Sequence, residues 1–330
     1  MSSMDIHSLI AAWALNACSP AEAGLVEAHL PTCPDCAREA RRLVEVVARL
    51  SGADLRPPAG SLARTRSAAR RRRPPATATA AYAASYAAQV AALDLLLTDL
   101  TAADWRRIAA YGELSVHDLV AHLAATDGLI AGVLGLPVEP LGDDPATRTA
   151  AVLDRERRRN PEQTRRSWRA QADAMCRSAP ANPPLGVATT ALGPPLCLPD
   201  ALTARAYETW IHREDITVAT GRRPLPPPLP GHVRLMAELA VRFLPQVVSR
   251  TAGHVRLELT GEGGGTWSVP LGPSLAGVSR PAAVVTLDVV EFCRLAGDRR
   301  DPDGVAAEVG GDTGLAREFL AAVPALAVVP

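Results

Sequence analysis

Four side chains near the start of the chain have the types and spacing to hold a metal ion. His29, Cys33 and Cys36 stand as His-x3-Cys-x2-Cys in "HLPTCPDC", and His7 lies one element earlier. A Cys-x-x-Cys pair supplies two thiolates to one tetrahedral zinc, a histidine one helical turn before it supplies a third donor, and His7 would complete the set. The competing reading of Cys-x-x-Cys is a redox pair, which belongs at a strand-to-helix junction in a βαβ unit. No such context surrounds residues 29–36. A second constellation lies far downstream. Glu208 and His212 in "YETWIHRED" are four residues apart, so on a helix they share one face. His122, in "DLVAHLAAT", sits among apolar neighbours and is expected to point inward. Two imidazoles and a carboxylate from two helices would make a three-donor site with an open position, suited to activating water or a thiol. Each of the three also has a plainer reading, as a hydrogen-bonded core histidine or a solvated Glu-x3-His pair. His117 and Asp118 are assigned to a helix start, and Cys18 to a small buried hydrophobe.

The elements that must position these residues follow from periodicity. Over residues 5–50 the pattern predicts three helices. Ile6, Leu9, Ile10, Trp13 and Ala17 share a face of the first. The second opens with the capping box Ser19-Pro20-Ala21-Glu22, offers Leu25, Val26 and Leu30, and stops at Pro31. The third starts near Pro34 and carries Leu43, Val44, Val47 and Leu50. A unit this small usually needs a staple, and a four-ligand zinc would be one. Residues 51–79, rich in Pro, Ala and Arg, read as a linker. From 80 to 223 the chain reads as an antiparallel helical bundle, with helices over about 80–100, from a start bracketed by Thr101 and Asp104, from the capping box Ser115–Asp118, over about 161–176, and over about 200–220. After a Pro-rich boundary, residues 228–330 read as an α+β module. It comprises an amphipathic helix, a hairpin around Gly263–Gly265, a strand and helix in "AAVVTLDVVEFCRLAGDRRD", and a closing helix. The expected fold class is mainly α with an α+β C-terminal domain.

Composition bounds the function. The 330 residues carry a formal net charge of zero, with arginine supplying every basic side chain, so there is no general electrostatic case for direct nucleic-acid binding. Arg70–Arg73 read as a solvated basic tether. Pro74–Leu93 has the length of a membrane span but consists mostly of Ala, Thr, Tyr, Ser and Gln, so no span is expected. With six cysteines, no disulfide framework and no secretory signal, the expected compartment is the cytoplasm.

Two resemblances add to this reading. "DIHSLIAAWAL…SPAEAGLVEAHLPTCPDC" resembles the zinc-binding anti-sigma domain, which implies zinc ligands His7, His29, Cys33 and Cys36 and an RNA polymerase sigma factor as partner. "LSVHDLVAHLAATDGLI" and "YETWIHREDITVATGRRP" resemble the metal-binding domain of mycothiol-dependent maleylpyruvate isomerases, a DinB-like four-helix bundle. That likeness implies a divalent metal, commonly zinc, on His122, Glu208 and His212, and a low-molecular-weight thiol such as mycothiol in the open position. The C-terminal module resembles the sterol-carrier-like domain of the same family, which contributes an arginine to the active site. Arg294, Arg299 and Arg300 are candidates, but "LAGDRR" has an extra residue before the arginines, and none is assigned.

Three functional readings follow. One is a cytoplasmic transcription regulator whose zinc module grips a sigma factor while the bundle senses a metal and a thiol. Another is a mycothiol-dependent isomerase or thiol S-transferase with an accessory zinc finger. A scaffold with lapsed chemistry is a third possibility. The tethered zinc module favours the regulator.

Overall fold

A computed structural model describes residues 3–51, 78, 80–110, 113–138, 145–183, 188–189, 195–248, 253–271 and 281–327. Most of the linker expected over 51–79 therefore lies outside the described residues. The chain divides into two compact units, Met1–Arg73 and Pro74–Pro330.

In the first unit, helices α1 (Ser3–Ala14), α2 (Pro20–His29) and α3 (Pro34–Ser51) pack around Ile10, Val26, Cys36 and Ala40. The capping box forms as expected: Ser19 accepts from the Glu22 backbone, and the Glu22 carboxylate accepts from the Ser19 N–H. Two apolar residues depart from their expected roles. The chain turns at Asn16, whose φ is +56°, so Ala17 falls beyond α1 and is exposed. Leu25 is 40% exposed, because Val26 takes the buried position of α2.

In the second unit, a 3-10 turn at Ala81–Ala83 leads into α4 (Ala84–Thr98). It is followed by α5 (Val116–Val133), α6 (Pro145–Glu156), α7 (Pro161–Ser178) and α8 (Leu198–Ala219). α4 packs on α7 and α8, while α5 packs on α6, α7 and α8. The Ser115–Asp118 capping box starts α5, and Gly221, at φ +63°, follows the end of α8. The start bracketed by Thr101 and Asp104 yields only a 3-10 turn, Asp104–Arg106, with Trp105 buried beneath it. α6 was not foreseen, since its buried face includes Arg148 and Thr149 beside Val152 and shows little apolar periodicity. Nor were two short antiparallel pairs, β1 (Ile108–Ala110) with β2 (Leu114–Ser115) and β3 (Ala188–Thr189) with β4 (Leu196–Cys197), which are too brief to show alternation.

The rest of this unit is an α+β layer. Strands β5 (Gly253–Thr260), β6 (Gly265–Leu271), β7 (Ala283–Asp288) and β8 (Glu308–Gly311) form a sheet of order β6-β5-β7-β8. β5 pairs antiparallel with β6 and parallel with β7, so the hairpin read from the sequence is half of a mixed sheet. Val255, Leu257 and Leu259 alternate inward in β5, as Ala283, Val285 and Leu287 do in β7. Helices α9 (Pro230–Val247), α10 (Val289–Ala296) and α11 (Thr313–Ala322) pack on it. Gly263, at φ +91°, makes the β5–β6 turn where a Cβ would lie 2.3 Å from the Pro230 carbonyl oxygen. The observed architecture is mainly α with an α+β C-terminal part. No helix among the described residues is long and apolar enough to cross a membrane.

Candidate metal centres

The end of α2 and the start of α3 create the first cluster. His29 is the last residue of α2, and its carbonyl accepts from the Cys33 N–H at 3.1 Å, which folds the "LPT" turn back on the helix end. Pro34 then opens α3, leaving Cys33 just before the helix and Cys36 in its first turn. The donor atoms of His29, Cys33 and Cys36 lie within 4.8 Å of one another, with His29 Nε2 3.1 Å from Cys36 Sγ. α1 brings His7 to the same sulfur, Nε2 to Sγ 3.3 Å. Neighbouring donors around a tetrahedral zinc are about 3.3–3.8 Å apart, so His29, Cys33 and Cys36 fit one ion, with His7 beside Cys36 but outside this group of three. Both cysteines are free thiols. The Cys33 thiol is pulled below its usual range mainly by the Cys36 backbone N–H and side chain, while burial and then Cys33 push the Cys36 thiol up, so the pair favours one thiolate, at Cys33. Cys18 stands apart, its sulfur 3.7 Å from the Leu9 carbonyl oxygen, and its pKa is pushed up first by burial.

The second cluster joins two helices of the bundle. His122 projects from α5, and Glu208 and His212 from one face of α8; their donor atoms lie within 4.8 Å of one another. His122 Nε2 is 2.6 Å from Glu208 Oε1, His212 Nε2 is 3.8 Å from the same oxygen, and the two rings meet edge to face at 5.4 Å. The histidines are buried, whereas the Glu208 side chain is 30% exposed and forms the accessible edge. Burial lowers both histidine pKa values to about 4, with the Arg205 charge assisting at His122. Both rings are therefore neutral near pH 7, the form that binds metal.

The surroundings of this cluster are ordered by ion pairs. His212 Nδ1 donates to Asp215 Oδ2 at 2.9 Å, which leaves Nε2 as the free base facing Glu208. Asp215 is gripped by Arg299, Nε to Oδ1 at 2.6 Å and Nη2 to Oδ2 at 2.7 Å. On the other side Arg205 donates Nη1 to Glu208 Oε2 and Nε to Asp127 Oδ1 at 2.8 Å. Two neutral imidazoles and a carboxylate are the donor set of a catalytic zinc site. His122 turns Nε2 to Glu208, and its other ring nitrogen, Nδ1, is buried without a hydrogen-bond partner among the described residues. These residues fit a divalent ion.

Of the two donor sets expected from the sequence, the structure brings His29, Cys33 and Cys36 together and likewise His122, Glu208 and His212, while His7 reaches Cys36 but lies outside the group of mutually close donors. The structure also separates the three candidate arginines. Arg299 joins the centre through Asp215, Arg294 pairs with Glu214 and Glu291, and Arg300 pairs with Glu291. Asp127, Arg205 and Asp215 were missed. For Arg205 and Asp215 the available signal was the spacing 205, 208, 212, 215, a single stripe along α8; Asp127, on α5, had none. His117 does more than start a helix, since its Nε2 lies 2.9 Å from Thr164 Oγ1 on α7. Asp118 both caps α5 and pairs with Arg157 at 2.7 Å.

Residues 4–37 match the family described as "Putative zinc-finger", and residues 86–217 match the mycothiol maleylpyruvate isomerase N-terminal domain. Two uncharacterized proteins of Mycobacterium tuberculosis, from strains CDC 1551 / Oshkosh and ATCC 25618 / H37Rv, are each 32% identical over 198 residues, 57% of this chain and 70% of theirs. The chain belongs to the mycothiol maleylpyruvate isomerase-like family. Crystal structures of the mycothiol-dependent maleylpyruvate isomerase and of a mutant are 19% and 18% identical, with TM-scores of 0.47 and 0.48, each covering 69% of this chain and 91% of theirs. In this isomerase-like chain an anti-sigma-like zinc-finger module precedes the bundle, and both metal-ligand clusters fall within or against the matched segments.

Proposed function

We propose that this protein is a metal-binding transcription regulator of the cytoplasm. In this reading zinc held by His7, His29, Cys33 and Cys36 shapes a module that binds a sigma factor, and His122, Glu208 and His212 hold a second divalent ion, zinc by its donor set, that receives a low-molecular-weight thiol such as mycothiol. One observation carries it: a single chain contains two preassembled donor clusters of different chemistry, in two separate compact units. The first has the sulfur-rich make-up of a structural zinc site, two thiols and an imidazole. The second has neutral imidazoles and an accessible carboxylate edge, as a ligand-receiving site requires.

A divalent ion in the second site would lower the pKa of a bound thiol toward neutrality. The protein's own part is to keep both imidazoles unprotonated, to fix His212 through Asp215, and to leave the Glu208 edge accessible. The alternative is a mycothiol-dependent isomerase or S-transferase in which the finger serves assembly. It draws support from the completeness of the His122, Glu208, His212 set.

Metal analysis and sigma-factor pull-down on three chains separate the readings: wild type, Cys33→Ala/Cys36→Ala, and His122→Ala/His212→Ala. Two metals in wild type, one lost in each variant, with sigma binding lost only in the cysteine variant, is the expected result. Metal confined to the bundle, no sigma partner and turnover of a thiol-dependent substrate would establish the enzyme instead.

A further inference from the structure

We propose that Arg205 is a positioning residue that limits Glu208 to a single oxygen toward the metal, and so tunes the centre for zinc-like ions against calcium and magnesium. The inference rests on the reading that His122, Glu208 and His212 hold a metal, and concerns residues outside that donor set.

Arg205 and Asp127 have no exposed side-chain surface at all. The guanidinium is fixed at one edge by Asp127 Oδ1, 2.8 Å from Nε, and Asp127 is itself fixed because its Oδ2 accepts from Trp168 Nε1 at 2.9 Å. Three elements therefore determine where Nη1 points: α5 through Asp127, α7 through Trp168, and α8 through Arg205 itself. It points at Glu208 Oε2. The other oxygen, Oε1, faces His122 Nε2 at 2.6 Å and His212 Nε2 at 3.8 Å. The two oxygens of one carboxylate thus have separate tasks, one committed to a buried cation and one turned to the imidazoles.

Arg205 Nη2 is buried with no hydrogen-bond partner among the described residues. Leaving a buried N–H unpaired is unfavourable, so the pose is set by what Asp127 and Glu208 require and not by saturation of the guanidinium. A buried ion pair is also weak evidence of a stability role, since apolar replacements of such pairs are often neutral or stabilising.

The consequence for the ion is chemical. A carboxylate whose Oε2 is held by a guanidinium offers Oε1 alone, and its donated charge is partly offset. Zinc is satisfied by four ligands of mixed nitrogen and oxygen type. Calcium takes about six to eight oxygens, often from two-oxygen carboxylates, and magnesium demands an octahedron of oxygens. Two nitrogens and one oxygen, with the second oxygen withheld, suit the first and not the others.

The test uses the full chain, with zinc affinity from chelator competition and visible spectra of the cobalt(II)-loaded protein. The bundle site is identified as the binding step that disappears in His122→Ala/His212→Ala. Asp127→Asn/Arg205→Met removes both buried charges together, so neither is left uncompensated, and Arg205→Lys keeps the charge but cannot reach both carboxylates. The double variant should bind zinc at the bundle about 10–100-fold more weakly. Its cobalt bands should weaken as Glu208 turns both oxygens to the ion, and its preference for zinc over calcium should narrow. Arg205→Lys should recover part of each effect, and it carries the test alone if the double variant does not fold. Bundle zinc affinity within about twofold of wild type, together with an unchanged cobalt spectrum, would overturn the inference and leave the metal reading standing. A wild-type chain that takes up no bundle metal would overturn both.

Discussion

Arg299→Gln breaks the contact that ties the C-terminal part to the bundle cluster. Arg299 makes a two-pronged pair with Asp215 at 2.6 and 2.7 Å, and Asp215 accepts from His212 at 2.9 Å. The side chains of Arg299 and Asp215 are 18% and 8% exposed, so the pair is mostly desolvated. Breaking a buried pair by removing one partner costs about 3–5 kcal/mol, because the other charge is left uncompensated. Partial exposure of Arg299 and the surviving His212 contact reduce the expected loss to about 2–3 kcal/mol. A unit of this size shifts by about 2–4 °C per kcal/mol, so the melting midpoint should fall by about 4–12 °C. Asp215→Asn/Arg299→Gln removes both charges and should restore most of that loss, since what is costly is the unpaired charge and not the absence of the pair. Scanning calorimetry of the metal-free full chain, following the larger transition, reads both values. A single variant within about 1 °C of wild type, or a double variant no more stable than the single, would refute the reasoning.

Three further outcomes follow from the same geometry. In the metal-free chain the lowered histidine pKa values mean that the unfolded state binds protons first. The contribution of neutral His122 and His212 is therefore present above about pH 6.5 and is lost as the pH falls toward about 4, on the order of 3 kcal/mol per histidine; a pH series of melts on wild type and His122→Gln/His212→Gln checks it, with no difference in pH slope counting against it. A strong chelator should abolish the helical signal of α1–α3, because four buried residues form the core there and a structural zinc contributes about 10–16 kcal/mol of apparent folding free energy; circular dichroism should show that partial loss while the larger calorimetric transition persists. Gly297→Ala would place a Cβ 2.9 Å from Ile211 Cδ1 and 3.0 Å from Cγ1, which should cost about 1–3 kcal/mol by overpacking and loosen the Arg299 loop, seen as a lower melting midpoint with weaker zinc retention.

Much of this molecule was legible in its sequence because the relevant signals are local. The capping boxes at Ser19 and Ser115 need only four residues each, and both form as written. Glu208 and His212 share a face by spacing alone, and the β5–β6 hairpin shows in its alternation. What stayed hidden depends on contacts between distant segments. Arg148 and Thr149 are buried on α6, so the apolar period that marks a helix is missing there. The parallel pairing of β5 with β7 joins residues about thirty positions apart and leaves no local trace. The arginine that reaches the centre could not be chosen from "LAGDRR", because the choice depends on the turn at Asp298, whose φ is +56°, and on Gly297 packing against Ile211.

That turn also brings the α+β part to the bundle cluster, within a unit that one continuous apolar core already joins. α8 presents Arg205, Glu208, His212 and Asp215 along one stripe, and each end of the stripe is held from elsewhere: Arg205 by Asp127 of α5, Asp215 by Arg299 from the segment after α10. Tyr207 of α8 also donates its hydroxyl to the Cys293 carbonyl in α10. His212 is oriented by a carboxylate that is itself oriented by the C-terminal part, so an isolated bundle would retain all three donors while losing the group that fixes one of them. Outer partners of this kind typically change metal affinity about 10–100-fold when removed. The α+β part is therefore a structural member of the candidate metal centre, acting through Asp215, even though it supplies none of the three donor side chains.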